Sequence, residues 1–372
     1  MNATRIIFRA DAGLDIGTGH VMRCLTLADA LRDQGAEAVF VTRDHRGHVI
    51  PAITGRGHRV DILPGNTGVP YGAHPEAPGH ADWLEADWRA DAAATSAVLE
   101  AEGADWLVVD HYALDRAWQQ AARPAGIRLL VVDDLADRSH LADVLLDQNT
   151  GRQAADYDGR VPAGCTRLIG PAHALLRPEF ARLRPEALAR RDTLETPRKL
   201  LVTLGGIDRD NATGRVLEVL AQAPAARQMH ISVIMGASAP HLVAVQTQAR
   251  QMPMPTEVAA GVSDMGVRMM QADLCVGAAG STAWERCALG LPTLQVVLAD
   301  NQMAAASHMD KQDMARALPF PDAPDFASAL SAGLEHLAVS DSYRSMSRCA
   351  ATLTDGAGAR RLAAHLMENS DA

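Results

Sequence analysis

RIIFRADAGLDIGTGHVMRCLTLADALRDQG, residues 5–35, opens on the apolar run Ile6-Ile7-Phe8, breaks at a glycine-bearing turn and continues as an amphipathic segment. Val21, Cys24, Leu25, Ala28 and Leu31 recur with the spacing of one helix face, and Gly35 ends the pattern. A short buried strand passing through glycines into a helix is half of a strand–helix–strand unit, whose strands run parallel. The scheme recurs downstream. Apolar runs at 37–42, 58–63, 105–110, 127–132 and 143–146 alternate with amphipathic stretches near 87–102 and 114–123. A second series places strands at 199–204, 230–236, 256–258, 273–277 and 293–298, with helices near 210–222, 240–251, 263–271, 281–289 and 301–312. Two parallel open sheets of an α/β protein are predicted.

At 372 residues the chain exceeds the usual length of one domain, so two units with separate cores are expected. Gly170, Pro171, Pro178, Pro185 and Pro197 punctuate the middle at a spacing through which no strand propagates. The expected division is an N-terminal domain over 1–170, a linker with one short helix over 171–198, a second domain over 199–350 and a C-terminal helix over 351–372. Within the first domain, 64–79 gathers Pro64, Gly65, Gly68, Pro70, Gly72, Pro75, Pro78 and Gly79 around His74, the composition of a surface loop or a lid.

Composition narrows the partners. A net charge of −10 opposes a nucleic-acid backbone or an anionic lipid surface, so neither nucleic acid nor stable membrane association is expected. Cys24, Cys165, Cys275, Cys287 and Cys349 are dispersed and form no C-x-x-C pair, which encodes neither a disulfide framework nor a zinc site. The first apolar run is too short for a signal segment, and a cytoplasmic location is expected. An acidic protein still binds a phosphorylated small molecule where helix N-termini supply local positive potential.

Three loops offer that. Gly17, Thr18 and Gly19 precede the first helix, and His20 stands on its first turn, where the dipole disfavours a further positive charge and leaves the neutral ring a general base needs. The pattern is not G-x-G-x-x-G, and no acidic residue at the expected distance grips an adenosine ribose. In the second half, Gly205, Gly206 and Ile207 follow a strand, with Asp210 or Asn211 placed to cap the next helix. Gly280, Ser281 and Thr282 follow another, with Ser281 as N-cap and Glu285 one turn on, able to take a ribose diol. Asn301 and Gln302 follow the last strand, where amides bind sugar hydroxyl or acetamido groups. Each loop taken singly also reads as an ordinary turn or cap. Together they describe two Rossmann-like domains with their loops at sheet edges.

These residues resemble a family, the UDP-2,4-diacetamido-2,4,6-trideoxy-β-L-altropyranose hydrolases of pseudaminic acid biosynthesis, relatives of the GT-B glycosyltransferases. The likeness rests on Phe8-Arg-Ala-Asp11, Ile16-Gly-Thr-Gly-His-Val-Met-Arg-Cys24, Val108-Val-Asp-His-Tyr112, Val132-Asp-Asp-Leu-Ala136, Leu146-Asp-Gln-Asn149, Gly170-Pro171, Val202-Thr-Leu-Gly-Gly206, Gly280-Ser-Thr-Ala-Trp-Glu285 and Asn301-Gln302. Ala278-Ala279 and the 64–79 insertion depart from it. The resemblance implies a GT-B fold with two parallel sheets facing across a cleft and a monomer that hydrolyses a UDP-sugar at the anomeric carbon–oxygen bond. It implies inversion and no metal or cofactor, in a pathway feeding flagellin glycosylation or surface polysaccharide. His20 then activates water, and Tyr112 lies in the catalytic pocket. Asp11 is a candidate to orient His20 or hold an acetamido group. Since a nucleoside diphosphate has a terminal pKa of about 6, it leaves without being protonated, and a single base suffices. A sugar-transferring enzyme of the same architecture, a silent nucleotide-sugar-binding protein and an epimerase are the alternatives. No basic-apolar acceptor patch is evident in the first domain.

Overall fold

Ile6 and Phe8 face one side of their strand and Ile7 the other, and all three are fully buried, so this strand lies within a sheet covered on both faces. The computed structural model of the chain describes residues 3–65, 68, 70–74 and 76–369, with the side chain of Asn301 outside the description. Contacts divide the chain into two compact units, 1–176 with 357–372, and 177–356.

The first unit is built in the order β1 (Arg5–Ala10), α1 (Gly19–Arg32), β2 (Glu37–Arg43), α2 (Ile50–Gly55), β3 (Arg59–Leu63), α3 (Trp88–Glu102), β4 (Trp106–Asp110), α4 (Arg116–Ala122), β5 (Arg128–Val132), β6 (Val144–Asp147) and β7 (Thr166–Ile169). Its seven-stranded parallel sheet has the order β3-β2-β1-β4-β5-β6-β7. Leu25, Ala28 and Leu31 of α1 pack with Ile6 and Phe8 on one face, and Trp118 and Ala122 of α4 pack with Ile7 on the other. Asp87 starts α3 by accepting from the backbone N–H groups of Arg89 and Ala90, both at 3.0 Å, and Gly103 ends it at φ +61.

The second unit runs α5 (Pro178–Asp192), β8 (Lys199–Thr203), α6 (Ala212–Gln222), β9 (His230–Met235), α7 (Leu242–Ala249), β10 (Thr256–Ala260), α8 (Met265–Gln271), β11 (Leu274–Ala278), α9 (Thr282–Ala288), β12 (Thr293–Val296), α10 (Met303–Lys311), β13 (Arg316–Leu318), α11 (Phe326–Leu337) and α12 (Ser340–Leu353). Its six parallel strands have the order β10-β9-β8-β11-β12-β13. The stretch read as linker carries α5, which persists through Pro185 because Phe180, Leu183, Ala187 and Arg191 are buried along it. The Arg191 guanidinium donates to the carbonyls of Ala187 at 2.9 Å and Met269 at 2.7 Å, tying α5 to α8. The last helix, α13 (Gly358–Glu368), returns to the first unit, where Ala359, Leu362, Ala363 and Leu366 join the core under α1.

In each sheet the chain adds strands first to one side and then to the other. The reversal falls between β1 and β4 in the first sheet and between β8 and β11 in the second. Loops leaving such a pair depart to opposite faces and leave a crevice at the carboxyl ends of the strands. Among the described residues, no helix is long and apolar enough to cross a membrane.

Candidate active site

At the first reversal point, β1 runs into the glycine turn and β4 into Asp110-His111-Tyr112. Gly17, at φ +78, closes a small bridge with Gly13, its N–H donating to the Gly13 carbonyl at 2.8 Å. Thr18 is the N-cap of α1 without a side-chain cap bond, and the first helical bond runs from Met22 N–H to the Thr18 carbonyl at 3.1 Å. Thr18 and Gly19 are exposed. The start of α1 thus meets solvent with no acidic side chain in its first turn.

His20 is nearly buried, with 8% of its side chain exposed. Its Nδ1 lies 2.6 Å from Oδ1 of the fully buried Asp110. Arg23, one turn further along α1, donates from Nε to Asp110 Oδ2 at 2.5 Å and from Nη2 to Oδ1 at 2.6 Å. Nη2 also stands 3.3 Å from His20 Nδ1, but that nitrogen cannot both donate to the carboxylate and accept from the guanidinium. The shorter contact assigns the proton to Nδ1, so the lone pair is on Nε2. Among the described residues no protein group bonds Nε2. Burial works to raise the Asp110 carboxyl, but the charge of Arg23 and the hydrogen bonds from Arg23 and His20 outweigh it and hold the group below the ordinary carboxylate range.

Arg23 continues the chain, its Nη1 donating to Asp134 Oδ2 at 2.6 Å. The Tyr112 hydroxyl donates to the same oxygen at 2.9 Å. Its ring meets His20 edge to face, centroids 4.7 Å apart and planes at 89°. Burial, reinforced by Asp134, raises the Tyr112 pKa, so its hydroxyl keeps its proton at neutral pH. The neighbouring His111 is fully enclosed, and burial pushes it down to about 3, with its Nε2 facing Asp11 at 3.4 Å. His20 is therefore the accessible base of this cluster.

Asp11 neither touches His20 nor reaches solvent. It is fully buried, and its Oδ1 accepts from Arg9 at 2.7 Å, from Thr42 Oγ1 at 3.1 Å and from Arg43 N–H at 2.8 Å. Arg9 is two residues earlier in the chain and so points to the same side of extended backbone, where it claims the carboxylate. Asp110, on the adjacent strand, is the carboxylate that touches His20.

At the second reversal point, Gly205, at φ +99, and Gly206 turn the chain out of β8, and the Gly206 carbonyl accepts from Gly236 N–H at 2.9 Å. Ile207 is 39% exposed beside this turn. Asp208, rather than Asp210, closes the start of α6, accepting from Ala212 N–H at 2.8 Å and Thr213 N–H at 3.0 Å, while Asn211 accepts from Gly214 N–H at 3.3 Å. The α6 terminus is thereby already occupied by a carboxylate. The α9 terminus differs. Ser281 is exposed and stands at the N-cap, as expected, but it makes no side-chain cap bond, being helical itself at φ −57. Thr282 Oγ1 accepts from the buried Arg286 at 3.1 Å. Glu285 pairs with Arg177 at 3.6 Å, and burial raises it to about 7 against the pull of that guanidinium. Gln302 accepts from Leu298 N–H at 3.1 Å, and a Cβ built on Gly280 would stand 3.9 Å from its amide nitrogen. The Asn301 side chain lies outside the described residues.

Two groups thus form. His20 and Tyr112 share a cluster in the first unit with Gly17, Thr18 and Gly19 at its helix start. Gly205, Gly206, Ile207, Gly280, Ser281, Thr282, Glu285 and Gln302 gather around neighbouring strands β8 and β11 or the loop beside them in the second. Sequence reasoning gave no role to Asp110, Arg23 or Asp134. The signal available was the Asp ending β4 and those following β5, with Arg23 three residues from His20 on one helix face.

No family model matches the chain. It is similar to the spore coat polysaccharide biosynthesis protein SpsG of Bacillus subtilis, 29% identical over 153 residues that cover 41% of this chain and 44% of that protein, so it spans less than half the length of this relative. It is also similar to the UDP-2,4-diacetamido-2,4,6-trideoxy-β-L-altropyranose hydrolase of Campylobacter jejuni, 26% identical over 247 residues covering 66% of this chain and 74% of that protein. The resemblance read from the motifs is therefore supported at the level of a family likeness. The crystal structure of Acinetobacter baumannii MurG superposes with a TM-score of 0.71 at 14% identity, covering 99% of this chain and 100% of that one. The fold, two parallel-sheet α/β units of the GT-B kind, is shared with that structure.

Proposed function

We propose that the chain hydrolyses a UDP-linked sugar, a 2,4-diacetamido-2,4,6-trideoxy-altropyranose or a close relative, at its anomeric carbon–oxygen bond. The observation that carries this reading is His20 with Nδ1 held by Asp110 and Nε2 left as a free base. In the proposed step Nε2 takes a proton from water while the water oxygen bonds to the anomeric carbon. The carbon–oxygen bond to the diphosphate breaks, its electron pair leaves on UDP, and the configuration inverts. Asp110 steadies the imidazolium that forms, and the proton then passes to solvent. Tyr112 buttresses the ring. The second unit's Gly205 and Gly280 loops are assigned the diphosphate, with Glu285 on the ribose. The open start of α9 suits an anion better than that of α6, where Asp208 already fills the donors. The match to a hydrolase of this chemistry supports the assignment.

Replacing His20 with Asn tests it. The variant is expected to lose hydrolysis by at least about 10²-fold, the scale of general-base catalysis, while its UDP affinity stays within about twofold. Retained hydrolysis would remove His20 from the mechanism. A second reading, transfer of the sugar to an acceptor hydroxyl by the same base, is favoured by the fold shared with MurG. UDP release from the altropyranose nucleotide without any acceptor supports hydrolysis, whereas release only on adding an acceptor supports transfer.

A further inference from the structure

The proline- and glycine-rich insertion is anchored in its described residues. The Tyr71 hydroxyl donates to the Ala113 carbonyl at 2.6 Å, and the Tyr71 carbonyl accepts from Trp88 N–H at 3.0 Å. Trp88 Nε1 and Arg89 Nη1 both donate to the Ala73 carbonyl, at 3.3 and 3.0 Å. The His74 and Trp88 rings meet edge to face with centroids 5.0 Å apart. Beyond them a short 3-10 turn, Ala81–Leu84, buries Leu84 and ends at Glu85, which adopts φ +52 and contacts His45 Nδ1 at 3.1 Å.

This framework holds two rings against the candidate site. Trp83 lies nearly parallel to Tyr112, centroids 5.5 Å apart and planes at 25°, and 6.4 Å from His20. His80 packs on Trp83 at 4.4 Å and on Tyr112 at 5.4 Å. Trp83, His80 and Tyr112 are each only partly buried, so a continuous aromatic surface beside the free base remains in contact with water. Large rings fixed in place and left wet are the lining of a ligand site, and a pyranose ring has a face of C–H groups that suits them.

We propose that Trp83, backed by His80, forms a subsite that takes the C–H face of the sugar and so selects sugars with fewer hydroxyl groups over fully hydroxylated ones. The identity of the ligand rests on the reading of His20 as the base at the anomeric carbon. The ring beside His20 is then the sugar, and the uracil lies elsewhere. Trp83 positions the sugar and takes no part in proton transfer.

The test uses the full chain carrying His20→Asn, so that nucleotide sugars persist during titration. Calorimetry measures the affinities of UDP, of UDP-2,4-diacetamido-2,4,6-trideoxy-β-L-altropyranose and of UDP-N-acetylglucosamine, with Trp83 intact, Trp83→Ala or Trp83→Phe. Near-ultraviolet circular dichroism and UDP binding report whether each variant is folded. The expected result is UDP affinity within about twofold throughout, with the gain in affinity from the trideoxy sugar falling about tenfold in Trp83→Ala and largely restored in Trp83→Phe. The gain should fall less for the N-acetylglucosamine nucleotide. In the His20 background, an unchanged sugar-dependent gain, or an equal loss of affinity for UDP alone in a folded variant, would overturn the proposal. The Phe variant decides the matter if Trp83→Ala does not fold, since a UDP-binding Phe variant with no sugar-dependent gain would also overturn it. If the intact enzyme proves not to hydrolyse the nucleotide but the sugar-dependent gain still depends on Trp83, the subsite stands and the hydrolytic reading falls.

Discussion

Asp110 accepts from His20 on one oxygen and from Arg23 on both, so its charge is spent on fixing one ring in one tautomer. Asp110→Asn keeps the shape but presents an amide where the imidazole N–H must donate. We expect kcat to fall by about 10²–10⁴-fold with KM little changed, measured as UDP release at saturating substrate. A KM effect alone would mean that Asp110 binds substrate rather than positioning the base. Glu285 offers a test through pH. Its folded pKa of about 7 exceeds the ordinary 4.5, so between those values the folded chain keeps a proton that the unfolded chain has lost, and stability declines as pH rises through that window. Glu285→Gln removes this penalty. The variant should be more stable than the parent at pH 8, by about 1–3 kcal/mol in urea titrations, with the advantage shrinking toward pH 4.5 and UDP affinity at pH 8 reduced. Higher stability with unchanged UDP binding would take Glu285 off the ribose.

Gly236 illustrates what elements demand of single positions. A Cβ there would stand 2.1 Å from the Gly206 carbonyl oxygen, a backbone atom that cannot swing aside. Gly236→Ala should cost about 1–3 kcal/mol in thermal or urea unfolding and weaken UDP binding by displacing the glycine turn after β8. A variant of native stability would show that the two loops are free to separate. The strand and helix series was legible because buried parallel strands are written as unbroken apolar runs and α1 as a clean stripe. The elements that periodicity missed are short. The strand β7 has four residues, β13 three and α2 six, too few to set a period, and each is specified by its neighbours. The short helix expected within 171–198 is longer than its prolines suggest: Pro185 signals a break, and only tertiary burial of Phe180, Leu183 and Arg191 carries α5 through it. His20 drew attention by its place at a helix start, and Tyr112 only through the family resemblance. The carboxylate partner of His20 was not legible, because Asp11 just beyond β1 and Asp110 at the end of β4 are alike in sequence and only the sheet order and the pull of Arg9 distinguish them.

Across the whole molecule, a chain of net charge −10 places a guanidinium, Arg23, between two carboxylates at one sheet edge and leaves uncapped helix starts at α1 and α9. Local donors rather than overall charge therefore suit it to an anionic nucleotide. The likeness to MurG covers 99% of the chain, whereas the matches to SpsG and to the altropyranose hydrolase cover 41% and 66% of it. The proposed hydrolysis turns on which bond water enters. Turnover of the altropyranose nucleotide in oxygen-18 water, followed by mass spectrometry of both products, decides this. Attack at the anomeric carbon puts the label in the released sugar and none in UDP. Label in the β-phosphate of UDP would mean attack at phosphorus and would contradict the role given to His20.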